Sequence, residues 1–588
     1  MADELRLVLL GGFRSGKSNV AHSFLNVKCE SDQMTTQCVK MEGNINGRKI
    51  ILVDTPGWWK CDELCDTTER LKAELVRSTS ICPPGPHVFL LVIEVDFDFS
   101  EKHRKVAEGH MQFISEDAWD QTIIVFTKLK HLDDKTIEQY VEREGENLNK
   151  LTQKCGNRYI GFDTDLDRNG SQAKELFRQI EKLVAENNGR FFKADARRLM
   201  DLEIKIKNVE EKATARAHQV LEKRRKLEEI KSDAEAEHDV TPLNIVLLGW
   251  VLSGKTLACS VILGADISFD KTVKCVRRCG EVNGRQVTVV DTPSFWKFLP
   301  YQLNADSVNI EILKAMDSSP DAILLVIPAD TSFLEEQMEV ILENIRPLGE
   351  KVWRQTMVLF TWGGSLGNKP IEYHIESEGD ALVRLVEMCG NRYHVFESMS
   401  MSMRDDHTQV NQLLEKIEEM IMECALLESN DEHQGKNKKS QERETPSEWL
   451  RVEDVKKLLN EEWERSDAMM KEMLKTMSPQ RFVRRGESLD VPLNLSGEVI
   501  NTELFINKRK LKDALEREWN RREAIDNARI QYKLKCLDAS AEMSSCADEE
   551  DIKMSCAKVN DWHQRQHLSD YGSVSSYEEH DKTEQDRD

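Results

Sequence analysis

Residues 11 to 18 read GGFRSGKS, and residues 249 to 256 read GWVLSGKT. In each run a second glycine follows the first after five positions and is itself followed by a lysine and a hydroxyl residue. That spacing suits a polyphosphate. The glycines let backbone amides approach the phosphates, the lysine bridges the outer two, and the hydroxyl ligates a magnesium ion. The first run supplies Gly11, Gly16, Lys17 and Ser18, with Ser15 and Asn19 beside them; the second supplies Gly249, Gly254, Lys255 and Thr256, with Ser253. One such pattern arises by chance in about one chain of this size in a hundred, so two copies, each between an apolar run and a helix-like segment, are not chance.

A second element accompanies each loop. Asp54 and Asp291 close apolar runs ending in DTP, where a carboxylate would hold the magnesium ion. Gly57 follows in the first copy, and its amide can swing onto a terminal phosphate. Ser294 stands there in the second copy and restricts that backbone.

The elements that must position these residues occur twice. LRLVLLGGFRSGKS at Leu5 returns as LNIVLLGWVLSGKT at Leu243, and NGRKIILVDTPGWW returns as NGRQVTVVDTPSFW. PHVFLLVI matches PDAILLVI, AWDQTIIVFT matches VWRQTMVLFT, and KCGNRY matches MCGNRY. A repeat this long is a duplicated domain rather than a solenoid unit. Within the first copy, strands are expected at 5–10, 48–54, 87–93, 121–126 and 158–162 with helices between them, a mainly parallel α/β sheet. Ligands of such sheets bind beyond the carboxyl ends of the strands, where both glycine-rich loops fall.

A chain of 588 residues with 39% hydrophobic content holds several domains. Its formal charge of −23 disfavours nucleic-acid binding by bulk electrostatics, so any phosphate must be held locally. Fourteen cysteines without a CxxC pair read as reduced thiols, and no window is apolar enough to cross a membrane. A soluble cytoplasmic protein is expected, with any membrane contact peripheral. The segments expected are a first G domain at 1–192, a charged helical linker at 193–240, a second, degenerate G domain at 241–428, a polar linker at 429–445, a helical region at 446–540 from Trp449 onward, and an acidic disordered tail at 541–588. In the linker Leu199, Ile206, Ala213, Val220 and Leu227 recur every seven residues, with Leu202, Val209 and Ile230 as companions, interrupted by Arg216 and Lys223. Either an intermolecular coiled coil or a helix folded back on its own domain satisfies that stripe.

The phosphate loop, NGR before the strand ending in DTPGWW, PPGPH before the next strand and CGNRY, in order and with the loop, NGR, DTP and CGNRY recurring in the second copy, together resemble the GTPases of immunity-associated proteins, the GIMAP family. The resemblance covers about 1–190 and 241–428. It implies Ras-like P-loop domains that bind GTP or GDP with Mg²⁺, assembly with like or related G domains, and an association with lymphocytes. It also implies that Thr35 and Thr272, three residues before Cys38 and Cys275, close over the metal beside Ser18, Asp54, Thr256 and Asp291. On residue type alone each reads as an ordinary loop threonine. Thr127, Lys128 and His131 fall in the segment where the family reads the base. There the sequence departs from the pattern: His131 and Ser365 replace the family's acidic residue, and Asp163 and Glu397 replace its Asn. An aspartate reads guanine by accepting two protons at once, which neither substitute can do.

Catalysis is the open question. Trp58 and Trp59 stand where Ras-like enzymes keep a water-positioning glutamine, so hydrolysis should be slow. Arg14 lies three residues before Lys17, as in the P-loop of guanylate-binding large GTPases, and either serves as an arginine finger or is a solvated loop residue. Its counterpart Leu252 cannot be a finger. The leading expectation is a slow GTPase switch, the first domain being the better enzyme; the alternative is a pseudo-GTPase scaffold that presents interaction surfaces.

Overall fold

The computed structural model describes residues 4–431 except 28–33, 61, 96–98, 133–135, 144, 164–169, 234–240, 266–271, 273, 300–303, 305, 318 and 398–407; beyond them it describes 449–451, 459, 505–507, 515, 517 and 518. The first repeat builds β1 (Glu4–Gly11), β2 (Val39–Ile45), β3 (Arg48–Asp54), β4 (Val88–Glu94), β5 (Thr122–Thr127) and β6 (Tyr159–Gly161) into a sheet of order β2-β3-β1-β4-β5-β6. All neighbours run parallel except β2, which is antiparallel to β3. Its helices are α1 (Lys17–Leu25), α2 (Glu69–Ser78), α3 (Glu101–Ile114), α4 (Ile137–Arg143), α5 (Glu146–Lys154) and α6 (Ser171–Glu186), followed by the long α7 (Ala196–Asp233).

The second repeat has the same plan: β7 (Leu243–Leu248), β8 (Val276–Val282), β9 (Arg285–Asp291), β10 (Ala322–Pro328), β11 (Thr356–Thr361) and β12 (Tyr393–Val395), in the order β8-β9-β7-β10-β11-β12. Around this sheet lie α8 (Lys255–Leu263), α9 (Asp306–Met316), α10 (Glu335–Ile345), α11 (Ile371–Ser377), α12 (Asp380–Met388) and α13 (Thr408–Asp431).

The central strands are continuous apolar runs because both faces of each sheet are covered. On one face of the first sheet Phe89, Leu91, Ile124 and Phe126 pack with Met111, Leu148 and Leu151; on the other Leu7, Leu9 and Val125 pack with Val20, Phe24, Leu176 and Ile180. The strands expected from sequence are present to within a residue or so. Strand β2 was not expected: its buried-to-exposed alternation is weak, with only Val39, Met41 and Ile45 apolar, as suits an edge strand with one solvated face.

Both repeats and α7 belong to one compact unit. Several positions of the heptad stripe pack on the chain's own repeats, while Ile230 near its end is exposed. Val209 and Ala213 are buried with Tyr373, and Val220 packs on the second core. Arg216 and Lys223, which interrupt the stripe, are what fasten it: Arg216 Nε donates to Glu376 at 2.6 Å, and Lys223 pairs with Glu423 at 2.6 Å. Toward the first repeat, Lys205 pairs with Glu69 at 2.7 Å. The repeats also touch directly. Ser332 donates through its amide to the Asp66 carbonyl (3.1 Å) and through its hydroxyl to the Cys65 carbonyl (3.0 Å), and the Glu69 amide donates to Glu378 (2.9 Å).

In a separate unit Trp449–Arg451 pairs antiparallel with Phe505–Asn507. The helix expected from Trp449 therefore does not begin there, because Trp and Phe-Ile side chains gain more from cross-strand pairing than from a helical turn. Of the rest of that expected helical region residues 459, 515, 517 and 518 are described, and each is helical; its other residues outside these and the two strands, the polar linker from 432 and the acidic tail lie outside the described residues.

Candidate nucleotide sites

In both repeats the glycine-rich loop leaves the carboxyl end of the central strand, β1 or β7, beside the point where the strand order reverses. Gly16 and Gly254 cap α1 and α8 in the left-handed region, at φ 88° and 95°. Arg14 and Leu252 also sit at positive φ, 60° and 64°, so the loop keeps one shape in both copies despite the different side chains.

Lys17 is buried and donates to the carbonyls of Gly11 (3.1 Å) and Gly12 (2.8 Å). Burial lowers its pKa to about 8, against the pull of Asp54. Around Asp54 the expected metal-side residues converge: Oδ2 accepts from Ser18 Oγ at 2.6 Å and from Thr35 Oγ1 at 3.1 Å, and the two hydroxyls are 3.0 Å apart. Gly57 lies against the loop so closely that a Cβ would meet Lys17 Nζ at 2.6 Å and the Gly12 carbonyl at 2.7 Å. Two buried acceptors in this pocket, Ser15 Oγ and Asp54 Oδ1, have no hydrogen-bond partner among the described residues. Leaving such atoms unpaired costs about 1–3 kcal/mol each, and a bound ligand or water would satisfy them. The donor set, one carboxylate and two hydroxyls beside a lysine and a glycine-rich turn, fits Mg²⁺ and a nucleotide phosphate chain.

The second copy repeats the plan with two differences. Thr256 and Thr272 donate to Asp291 Oδ2 at 2.7 and 3.2 Å, and Ser253 Oγ and Asp291 Oδ1 are again buried without a partner among the described residues. Here, however, Arg278 Nη1 stands 3.6 Å from Asp291 Oδ2. And Lys255, besides donating to the carbonyls of Gly249 (3.0 Å) and Trp250 (3.4 Å), donates to Ser294 Oγ at 2.6 Å.

Of the other expected residues, Asn19 and Arg14 are exposed, and the Arg14 guanidinium lies over the Phe13 ring, 5.3 Å from its centroid. Thr127 holds the loop from behind, its hydroxyl donating to the Ser15 carbonyl at 2.7 Å, as Thr361 does to Ser253 at 2.8 Å. Lys128, at φ 57°, pairs with the buried Glu94 at the end of β4. His131 lies in the short 3₁₀ turn Leu129–Leu132 after β5. Asp163 is buried just past β6, its amide donating to Gln172 at 2.6 Å. Trp58 is core, stacked on His110 with centroids 4.6 Å apart, and Trp59 packs on Phe13 at 4.9 Å.

Sequence reasoning missed what Cys38 and Cys275, three residues after Thr35 and Thr272, do. The Cys38 amide donates to Glu74 on α2 at 2.7 Å and its thiol to the Glu74 carbonyl at 3.3 Å; Cys275 makes the same pair of contacts to Glu311 on α9, at 2.9 and 3.1 Å. These pins fix the end of the segment that carries Thr35 or Thr272. Burial and the neighbouring carboxylate push both thiols up, so they stay protonated. The signal was present in the matched offsets of Cys38 to Cys275 and Glu74 to Glu311.

Residues 5–213 and 243–449 match the AIG1 family profile. Curated relatives include GTPase IMAP family member 8 of Homo sapiens, 26% identical over 437 residues, covering 71% of this chain and 62% of the relative. The Mus musculus protein of the same name is 26% identical and covers 71% and 60%. Immune-associated nucleotide-binding protein 5 of Arabidopsis thaliana is 29% identical over 250 residues, 39% of this chain and 81% of the relative. The chain thus spans about three fifths of the length of the mammalian relatives. Among solved structures, Toc33 from Arabidopsis thaliana in complex with GDP and Mg²⁺ is 17% identical with a TM-score of 0.28, covering 33% of this chain and 89% of that one.

Proposed function

Because this chain belongs to the AIG1 family, we propose that it is a guanine-nucleotide-binding protein whose first repeat binds GTP or GDP with Mg²⁺ and works as a slow GTPase switch. One observation carries this reading: Asp54 gathers the hydroxyls of Ser18 and Thr35 onto a single oxygen while its other oxygen is buried with no partner among the described residues. Ser18, Thr35 and Asp54 are the residues to hold the metal. Gly11, Ser15, Gly16 and Lys17 cradle the phosphates, and bound Mg²⁺ would neutralise charge on the outer phosphate oxygens.

Thr35 makes the device a switch. Its segment is anchored at one end by Cys38 on Glu74, so the hydroxyl can leave or rejoin Asp54 while the anchor stays fixed. Slowness follows from the aromatic residues: Trp58 is stacked on His110 and Trp59 packs on Phe13, and neither carries the paired donor and acceptor with which a glutamine amide orients a water. Assembly through G domains is supported within the chain itself, where the segment after DTPG in the first repeat is gripped by Ser332 and Glu378 of the second. Arg14, exposed over Phe13, is outside the resting site, and Arg14→Ala tests it as a finger: the expectation is unchanged basal turnover, and only a rise of turnover with protein concentration that the variant loses would give it a catalytic role. The scaffold reading is favoured by His131 and Ser365 in the base-reading positions and applies best to the second repeat.

The decisive measurement titrates labelled GTP, GDP and ATP with Mg²⁺ into the chain carrying Lys255→Ala, with and without Lys17→Ala. Guanine nucleotides should bind, and Lys17→Ala should abolish most of the affinity. If the Lys255→Ala chain binds none of the three, or the double variant binds equally well, the reading fails.

A further inference from the structure

The two sites share a fold and a loop yet differ at two neighbouring points, and both differences change which ligand fits. At the third residue of the antiparallel edge strand the first repeat has Met41 and the second Arg278, in the same register against β3 and β9. Met41 packs into the apolar layer, whereas Arg278 sits within ion-pair distance of the carboxylate expected to hold the metal. A guanidinium there neutralises Asp291 and repels a divalent cation arriving at the same oxygen. The second site sets the Arg278 guanidinium beside Asp291 in addition to its loop lysine, at a position where the first site has the uncharged Met41.

The second difference concerns the outermost phosphate. Lys17 donates to two loop carbonyls, and its ammonium has a third N–H to give. Lys255 donates to the two corresponding carbonyls and gives its third N–H to Ser294 Oγ. Ser294 stands at the position of Gly57, where even a Cβ comes within 2.6 Å of the lysine nitrogen. The contact a γ-phosphate would make is therefore taken by the protein's own hydroxyl. The inner part of the cradle is kept: Gly254 holds its left-handed turn and Ser253 Oγ is buried without a partner among the described residues.

We infer that the second site binds a nucleoside diphosphate without magnesium, Arg278 supplying the positive charge and Ser294 excluding the third phosphate. The inference rests on reading the glycine-rich loops as phosphate cradles. It makes the second repeat a constitutive member of the pair, one that does not cycle with a triphosphate.

The test uses the full chain carrying Lys17→Ala, so that the second site alone responds, with labelled GDP and GTP in Mg²⁺ or in EDTA. GDP affinity should change by less than about twofold on metal removal, and GTP should bind at least about tenfold more weakly than GDP. Arg278→Met should make GDP binding fall about tenfold in EDTA, and Ser294→Gly should close the gap between GTP and GDP. The parent chain decides the matter even if a second-site variant fails to fold. Metal dependence in the parent, GTP affinity equal to or above that of GDP, or no binding of either would overturn the inference. The Lys255→Ala chain tells this failure from that of the broader reading: if it binds nucleotide and the Lys17→Ala chain does not, only the second-site inference falls.

Discussion

Installing the second repeat's serine in the first repeat, as Gly57→Ser, tests how the lysine's third N–H is used. A Cβ at Gly57 would approach Lys17 Nζ at 2.6 Å, the Gly12 carbonyl at 2.7 Å and Phe13 Cα at 2.7 Å. Two of these are backbone atoms, so the segment after β3 must retreat by several tenths of an ångström, and the hydroxyl then reaches the ammonium as Ser294 reaches Lys255. The triphosphate loses a hydrogen bond to a charged group, worth about 1.5–3 kcal/mol. That is a fall of about 10- to 150-fold in GTP affinity, with a smaller loss for GDP, whose phosphates end before this contact. The assay is displacement of labelled GDP by GTP and by GDP from the Lys255→Ala chain, with and without Gly57→Ser. Gly57→Ala, which has the crowding without the hydroxyl, separates steric from hydrogen-bonding loss. A GTP affinity within about twofold of the parent would refute the argument that this position controls the third phosphate.

Other consequences follow from burial. Because burial lowers the Lys17 ammonium to about 8 in the free fold, a phosphate chain that restores its charge should make nucleotide binding take up a proton above pH 8, and affinity should fall by up to about tenfold per pH unit there; calorimetry in buffers of different ionisation heat reads that uptake directly. Glu378, pushed up to about 7 by burial, keeps a proton in the fold between 4.5 and 7 that the unfolded chain has released, so stability falls as pH rises through that window. Glu378→Gln, which keeps an acceptor for the Glu69 amide, should flatten the decline, by about 3 kcal/mol at most, in melting curves taken at either end of the window. Arg216→Met leaves Glu376 buried and unpaired, both side chains being only 8% exposed, and should cost about 3–5 kcal/mol in urea denaturation; pairing it with Glu376→Met should restore much of the loss.

The parts of the sites visible in the sequence were those whose chemistry depends on local spacing. Gly16, Lys17 and Ser18 are contiguous, and Asp54 ends a run of buried apolar residues, so each announces itself within a few positions. What spacing could not reveal depends on partners far along the chain. Arg278 looks like any exposed basic residue of an edge strand until Asp291 appears beside it, and nothing near Thr127 in sequence announces that its hydroxyl reaches the Ser15 carbonyl. Trp58 and Trp59 carry identical side chains, yet one is core and the other lies on the loop, because successive residues of extended chain face opposite ways. The heptad in α7 was legible as a stripe, but its partner was not: period fixes which face is covered and says nothing about whether a second copy or the chain's own repeats cover it.

The fastening points along α7 make that helix a phase reference as well as a connection. Lys205 meets the first repeat and Lys223 the second, 18 residues and about 27 Å apart along the axis. Since each residue advances a helix by about 100°, both anchors can be satisfied only at the present residue count between them. A single inserted residue would turn Arg216 and Lys223 away from Glu376 and Glu423 while leaving Lys205 in place, whereas seven would return them to nearly the same side at about 10 Å greater span. The length of this segment is thus constrained in phase and in span together, so insertions should break the anchors where substitutions along the exposed face leave them in place.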